Sequence, residues 1–179
     1  MNIFASHPNP ETAALWLDDK RANQMIRESG QLLSTAIREK TSWPPDALYK
    51  SFNPNHPAAV WCRSSPARFV WTATHMRVLL RRAGKDKHER AREVHAAVIE
   101  WYSKNSHRFP KQGLQPFANC TRREIKREGK KDLVIDYTYL TDAHQAYRSY
   151  LNARWQFDAV APTWKTGRCP DWYHNRRKQ

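Results

Sequence analysis

The chain has 179 residues and a mass of 21.1 kDa, and its 31 lysines and arginines against 17 aspartates and glutamates give a formal net charge of +14. That length suits one domain with a core of its own, and the charge marks a surface that attracts polyanions. DNA or RNA is the usual polyanion, with a ribosomal or membrane-surface protein as the bland alternative; no apolar run approaches the roughly 18 residues of a membrane span.

No internal repeat is visible. Residues 1–6 form a lead with an apolar centre, Ile3-Phe4, that could tuck into the body. Asn9 is placed to cap a short helix starting at Pro10, where proline suits the first turn. Residues 19–39 give the strongest helical pattern, with Met25, Ile26, Leu32, Leu33, Ala36 and Ile37 on one arc, and Trp43-Pro44-Pro45 stops it. The turn-rich Asn53-Pro54-Asn55-His56-Pro57 leads into a short helix over 57–63. Ser65-Pro66 opens another helix to about Ala83, with Gly84 as its stop. Residues 89–105 make a fourth strong helix, carrying Val94, Val98, Ile99 and Trp101.

Residues 106–131 contain Pro110, Gly113, Pro116 and the dense basic run from Arg122 to Lys131, and are expected to form a long exposed loop. An extended piece over 133–139 and a last helix, capped by Asp142 and reaching about Phe157, follow. The tail, 162–179, is aromatic and basic, with Trp164, Trp172, Tyr173, Arg176 and Arg177. The pattern predicts a mainly α protein, a compact single-domain helical bundle over 1–179 with long basic loops.

The N-terminus has neither the basic start nor the apolar stretch of a signal peptide. Cys62, Cys120 and Cys169 are odd in number and form no CxxC pair, so a disulfide framework or zinc ribbon is not expected and a reducing cytoplasmic setting fits. No metal or cofactor is expected. The eight tryptophans are the oddest feature, and core packing and base stacking both use such rings.

On the 19–39 helix, Arg21, Gln24, Glu28, Gln31 and Thr35 make one column at about 100 degrees per residue, flanking the apolar arc. Its single carboxylate, Glu28, sits among amides and bases. A carboxylate at the edge of a core with cations nearby suits acid–base chemistry, and it equally suits an ordinary boundary stripe held by ion pairs. His56 stands just before a helix start, where it either binds phosphate or caps the turn. His75, His88 and His95 lack metal spacing and read as structural or solvated, while His7 lies near the terminal amine in sequence.

Met1-Asn2-Ile3-Phe4, Asp19-Lys20-Arg21, Met25 through Ala36, Tyr49-Lys50, Asn55-His56-Pro57, Trp61, Ala146-Tyr147-Arg148 and Pro170-Asp171-Trp172-Tyr173 together resemble a family of small phage-encoded proteins. More distantly, Arg21 and the Arg27-Glu28 pair on the first long helix, with the Trp172-Tyr173 tail, resemble the pyrimidine-dimer DNA glycosylases, also called endonuclease V. That resemblance implies a small helical enzyme that attacks the glycosidic carbon with its N-terminal amine, forms a Schiff base and nicks by β-elimination. Two positions depart from the pattern. Asn2 disfavours removal of Met1, which makes the Met1 amine the nucleophile, and Arg21 stands where the relatives tend to carry histidine.

On this reading Glu28 either stabilises positive charge building on the sugar or shuttles a proton during ring opening, Arg21 and Arg27 hold phosphates beside the lesion, with a surface salt bridge as the bland alternative for each, and Gln24 and Gln31 read the edge of a flipped base. His56, Trp172, Tyr173, Arg176 and Arg177 complete the expected DNA contacts. α-Amino groups are the most acidic of the ordinary protein amines, which is why such chemistry uses one. Three functions remain open: a DNA glycosylase, with or without AP-lyase activity, acting on damaged or modified pyrimidines; a non-catalytic DNA- or RNA-binding phage accessory protein; and another enzyme processing hypermodified bases. The expected partner is duplex DNA with a lesion or modified base, with RNA second and no membrane, and the expected state is a monomer.

Overall fold

The computed structural model describes residues 1–113, 116–126 and 132–174. Among the described residues six α-helices run in chain order: α1 Pro10–Trp16, α2 Asp19–Arg38, α3 Pro57–Arg63, α4 Pro66–Arg82, α5 Glu89–Asn105 and α6 Ala143–Phe157. Each predicted start has its physical cause. Asn9 accepts from the Glu11 and Thr12 amides, Ser65 from the Arg68 amide, and Asp142 from the His144 and Gln145 amides, so each supplies a partner to orphan donors of a first turn. Proline holds the first turn of α1, α3 and α4. Gly84 ends α4 at φ +83, a conformation costly for any residue with a Cβ.

The core forms around α2, which packs on α3, α4 and α5, while α1 packs on α4. Met25, Leu32, Leu33, Ala36 and Ile37 are fully buried there, as the periodicity predicts, and meet Phe69, Met76 and Leu79 of α4 within one continuous cluster. The mainly α class holds. Among the described residues no helix is long and apolar enough to cross a membrane.

The basic stretch departs from the expected loop. It opens with a 3-10 turn over Ser106–Arg108, and Arg122–Ile125 forms a strand, β1, paired antiparallel with β2, Leu133–Asp136. Arg122 faces Asp136 across the ladder, with a 3.6 Å ion pair between their side chains. The sequence gives little sign of β1 because its pattern is charged rather than alternating; its stability comes from partners on β2 and from the packing of β2 against α6. Residues 127–131 of the basic run lie outside the described residues.

Two segments without regular structure shape the face that matters. The N-terminal lead is buried from Ile3 to Ser6 and is tied to α6, where His144 Nδ1 donates to the Ala5 carbonyl (2.6 Å) and Arg148 Nε to that of Ser6 (2.9 Å). The connection between α2 and α3 runs back along α2. The Tyr49 amide donates to Ser34 Oγ and the Phe52 amide to Thr35 Oγ1, both at 3.1 Å, and Arg38 binds the Tyr49 and Leu48 carbonyls. Gly30 permits this approach, since a Cβ there would lie 2.7 Å from Tyr49 Cε2.

Candidate active site

On α2, Gln24 and Glu28 stand one turn apart, and Gln24 Nε2 donates to Glu28 Oε1 at 2.7 Å. The other carboxylate oxygen accepts the backbone N–H of Asn2, also at 2.7 Å. Asn2 organises the lead: its Oδ1 accepts the amides of Ile3 (2.7 Å) and Phe4 (3.0 Å), and its Nδ2 donates to the Cys120 carbonyl (3.1 Å). Phe4 takes a left-handed φ of 39° and stacks on Tyr150, ring centroids 6.2 Å apart. Met1 is thereby delivered to a cleft of about 350 Å³ that is also lined by Gln24, Glu28, His56, Asn119, Arg122 and Arg123.

His56 caps α3, its Nδ1 accepting the Ala58 amide at 3.1 Å, which leaves Nε2 for a ligand. Burial pushes its pKa down, the α-ammonium of the chain adds to this, and Glu28 opposes both. The two roles weighed for this histidine are therefore compatible: it caps the turn and also lines the cleft. Burial pushes the Cys120 thiol up, and the fully buried Cys62 thiol up to about 12, so neither supplies a thiolate near neutrality. Burial likewise raises the Tyr150 phenol, against the pull of Arg154, Arg123 and Arg21. Among the described residues no group of three or more His, Cys, Asp or Glu side chains is placed to hold a metal ion.

A second groove, about 600 Å³, lies across α2 and is lined by Asn23, Arg27, Gln31, Phe52 and His88. Met1, Gln24 and Glu28 border both spaces, so the wall between them carries the carboxylate. Of the predicted residues, Met1, Gln24, Glu28 and His56 thus meet in the cleft, and Arg27 and Gln31 stand in the adjoining groove.

Arg21 does not join them. Its side chain is only 4% exposed, and its guanidinium binds Asp18 (3.1 Å) and Asp158 (2.7 Å). A cation enclosed by two carboxylates is not available to a DNA phosphate, so its expected role gives way to a structural one.

Trp172 and Tyr173 also turn inward. The Trp172 ring stacks on Trp155 at 5.5 Å and meets Trp16 edge-on at 5.8 Å, while Tyr173 packs against Trp155 and Trp164. These contacts make them part of the packing between α1, α6 and the tail rather than a face set beside the cleft. Replacing Trp172 by Ala is expected to cost about 2 kcal/mol of stability, from lost area and ring contacts. Thermal unfolding and DNA titration of the same sample check this: affinity per folded molecule stays constant, and a stable variant with weakened binding would return the tail to the interface. Arg176 and Arg177 lie outside the described residues.

Sequence reasoning missed Asn119, Arg122, Arg123 and Tyr150 as site residues. The one available signal was the basic run itself, which carried two of the four. No family model, curated protein or solved structure matches the chain.

Proposed function

We propose that the protein binds DNA and is a glycosylase with AP-lyase activity on damaged or modified pyrimidines, using the Met1 amine as nucleophile and Glu28 as the proton-carrying carboxylate. The observation that carries this reading is the meeting of Glu28 with the N-terminal lead: its carboxylate holds the Asn2 N–H at 2.7 Å while Met1 lines the same cleft. The cleft's thiol is held protonated by burial, which leaves the amine as the better nucleophile.

In this mechanism the neutral amine bonds to C1′ as the glycosidic bond breaks, and the base departs with the bonding pair and takes up a proton. The amine proton passes through Glu28 to O4′, the C1′–O4′ bond opens and the nitrogen lone pair forms the imine. Loss of a C2′ proton then expels the 3′ phosphate, and water hydrolyses the imine to free the amine. Arg122 and Arg123, with Arg27 across the wall, are the cations suited to the flanking phosphates, the part first assigned to Arg21.

Borohydride reduction on abasic-site DNA tests the reading. The expected result is a covalent adduct that disappears when Gly-Ser is placed before Met1, while binding remains. Affinity should also fall linearly on a log–log plot against salt, with a slope of about −0.9 per phosphate contacted. Salt-sensitive binding with no adduct would leave a non-catalytic nucleic-acid-binding protein, and no binding at all would remove both.

A further inference from the structure

The two spaces that share Glu28 differ in chemistry. The cleft is lined by Arg122 and Arg123, of which Arg122 also reaches Asp136 at 3.6 Å and Arg123 bonds the Tyr150 phenol, cations of the sign an anion requires. The groove adds an aromatic ring, Phe52, 51% exposed, to the Gln31 amide and the Arg27 side chain, with Asn23 Oδ1 bonded to His88 Nε2 at 3.2 Å. A nucleotide divides in the same way, into a flat base and a phosphate-bearing sugar, and the bond joining them is the one a glycosylase breaks. The geometry points to the Phe52 groove as a nucleobase subsite, in which an unpaired base stacks on the Phe52 ring while its sugar lies over Glu28 and its phosphates lie toward Arg122 and Arg123. This rests on the DNA-binding part of the proposed function and not on catalysis.

An exposed phenylalanine is by itself unremarked surface. This one is fixed in place at the edge of a groove. Its amide is anchored on the fully buried Thr35 hydroxyl, the preceding turn is anchored on Ser34 and Arg38, and the next residue, Asn53, sits at φ 48, a left-handed conformation that the surrounding loop must hold. A ring presented on an ordered backbone loses little freedom on stacking, which favours its use as a platform. Phe52 has no ring partner among the described residues, although most of the protein's aromatic side chains pack in pairs or clusters. Gln31 and Arg27 likewise make no hydrogen bond among the described residues, so an amide and a guanidinium remain for the edge of a base and its phosphate.

The test is binding, measured by anisotropy with two duplex probes. One carries a central unpaired thymidine whose 2′-fluorinated sugar resists cleavage; the other carries a tetrahydrofuran abasic analogue at the same position. The parent should prefer the base-bearing probe, and Phe52→Ala should weaken that probe by about 5- to 150-fold, the range for loss of one base–aromatic stack, while changing the abasic probe less than about twofold. Phe52→Trp keeps a platform and should keep the preference, and circular dichroism of each variant confirms the fold. If Phe52→Ala affects both probes equally, or neither, the subsite is overturned while DNA binding stands. If the parent binds neither probe, the subsite and the proposed function fall together.

Discussion

Glu28→Gln should lower strand cleavage at an abasic or damaged site by about 10²–10⁴-fold, the usual worth of an acid–base group, while leaving DNA binding intact or tighter. The substitution suits the site's hydrogen bonding. A glutamine at position 28 still offers a carbonyl oxygen to the Asn2 amide, and its NH₂ can face Gln24, whose own amide turns over to present oxygen. The lead therefore keeps its anchor and Met1 its place in the cleft, and what disappears is the charge and the ability to carry a proton. Removing a negative charge from a surface that meets phosphate favours binding. Single-turnover cleavage, run beside anisotropy and thermal unfolding, separates these effects. A Gln variant that cleaves like its parent would make Glu28 a boundary residue of α2 and remove the main support for catalysis.

What could be read from the sequence was local. Asn9, Ser65 and Asp142 each lie at a predicted helix start because a cap acts over two or three residues, and α2 was visible because its apolar arc repeats over 20 residues. Gln24 and Glu28 pair for the same reason, being one turn apart on one helix. The part of the cleft lining outside α2 and the His56 turn was hidden. Arg122 and Arg123 reach it on a strand whose sequence shows no alternation and whose register is set by residues 133–136. Arg21 and Arg27 of α2 show the limit most sharply. Periodicity separates them, placing Arg21 in the column beside the apolar arc and Arg27 on the solvated face, but nothing within the helix shows that Arg21 is closed off by a second carboxylate. That carboxylate is Asp158, 137 positions away, which reaches Arg21 from the end of α6. The packing of Trp172 and Tyr173 was hidden on the same ground, since Trp16 and Trp155 lie in segments far from them in sequence and meet them, with Trp164, only in the fold.

That difference between the two arginines gives the largest expected effect on stability. Arg21→Met should destabilise the protein by about 3–5 kcal/mol, the cost of removing one partner from a buried ionic cluster. The guanidinium spans Asp18, 3.1 Å away and 2% exposed in its side chain, and Asp158, 2.7 Å away and 7% exposed. Asp18 would keep its bond from Trp155 Nε1, at 2.8 Å, with the buried Arg82 as the cation still acting on it, while Asp158 would retain the more distant Lys20 and Arg154 at 3.5 and 3.8 Å. The pH dependence carries a definite sign. Burial alone would raise the Asp158 carboxyl, but Arg21, then Lys20 and Arg154, hold it below its ordinary value of 3.8. A carboxyl with a depressed folded pKa stabilises the protein above its unfolded pKa, and that contribution is lost as pH falls through the folded value. The parent should therefore lose stability more steeply than Arg21→Met below about pH 4, so the gap between them at pH 7 narrows at pH 3. Urea unfolding at the two pH values measures this. DNA affinity per folded molecule should not change, because Arg21 faces carboxylates and not the cleft; a stable Arg21→Met protein that binds DNA poorly would restore the phosphate-holding role and overturn the structural one.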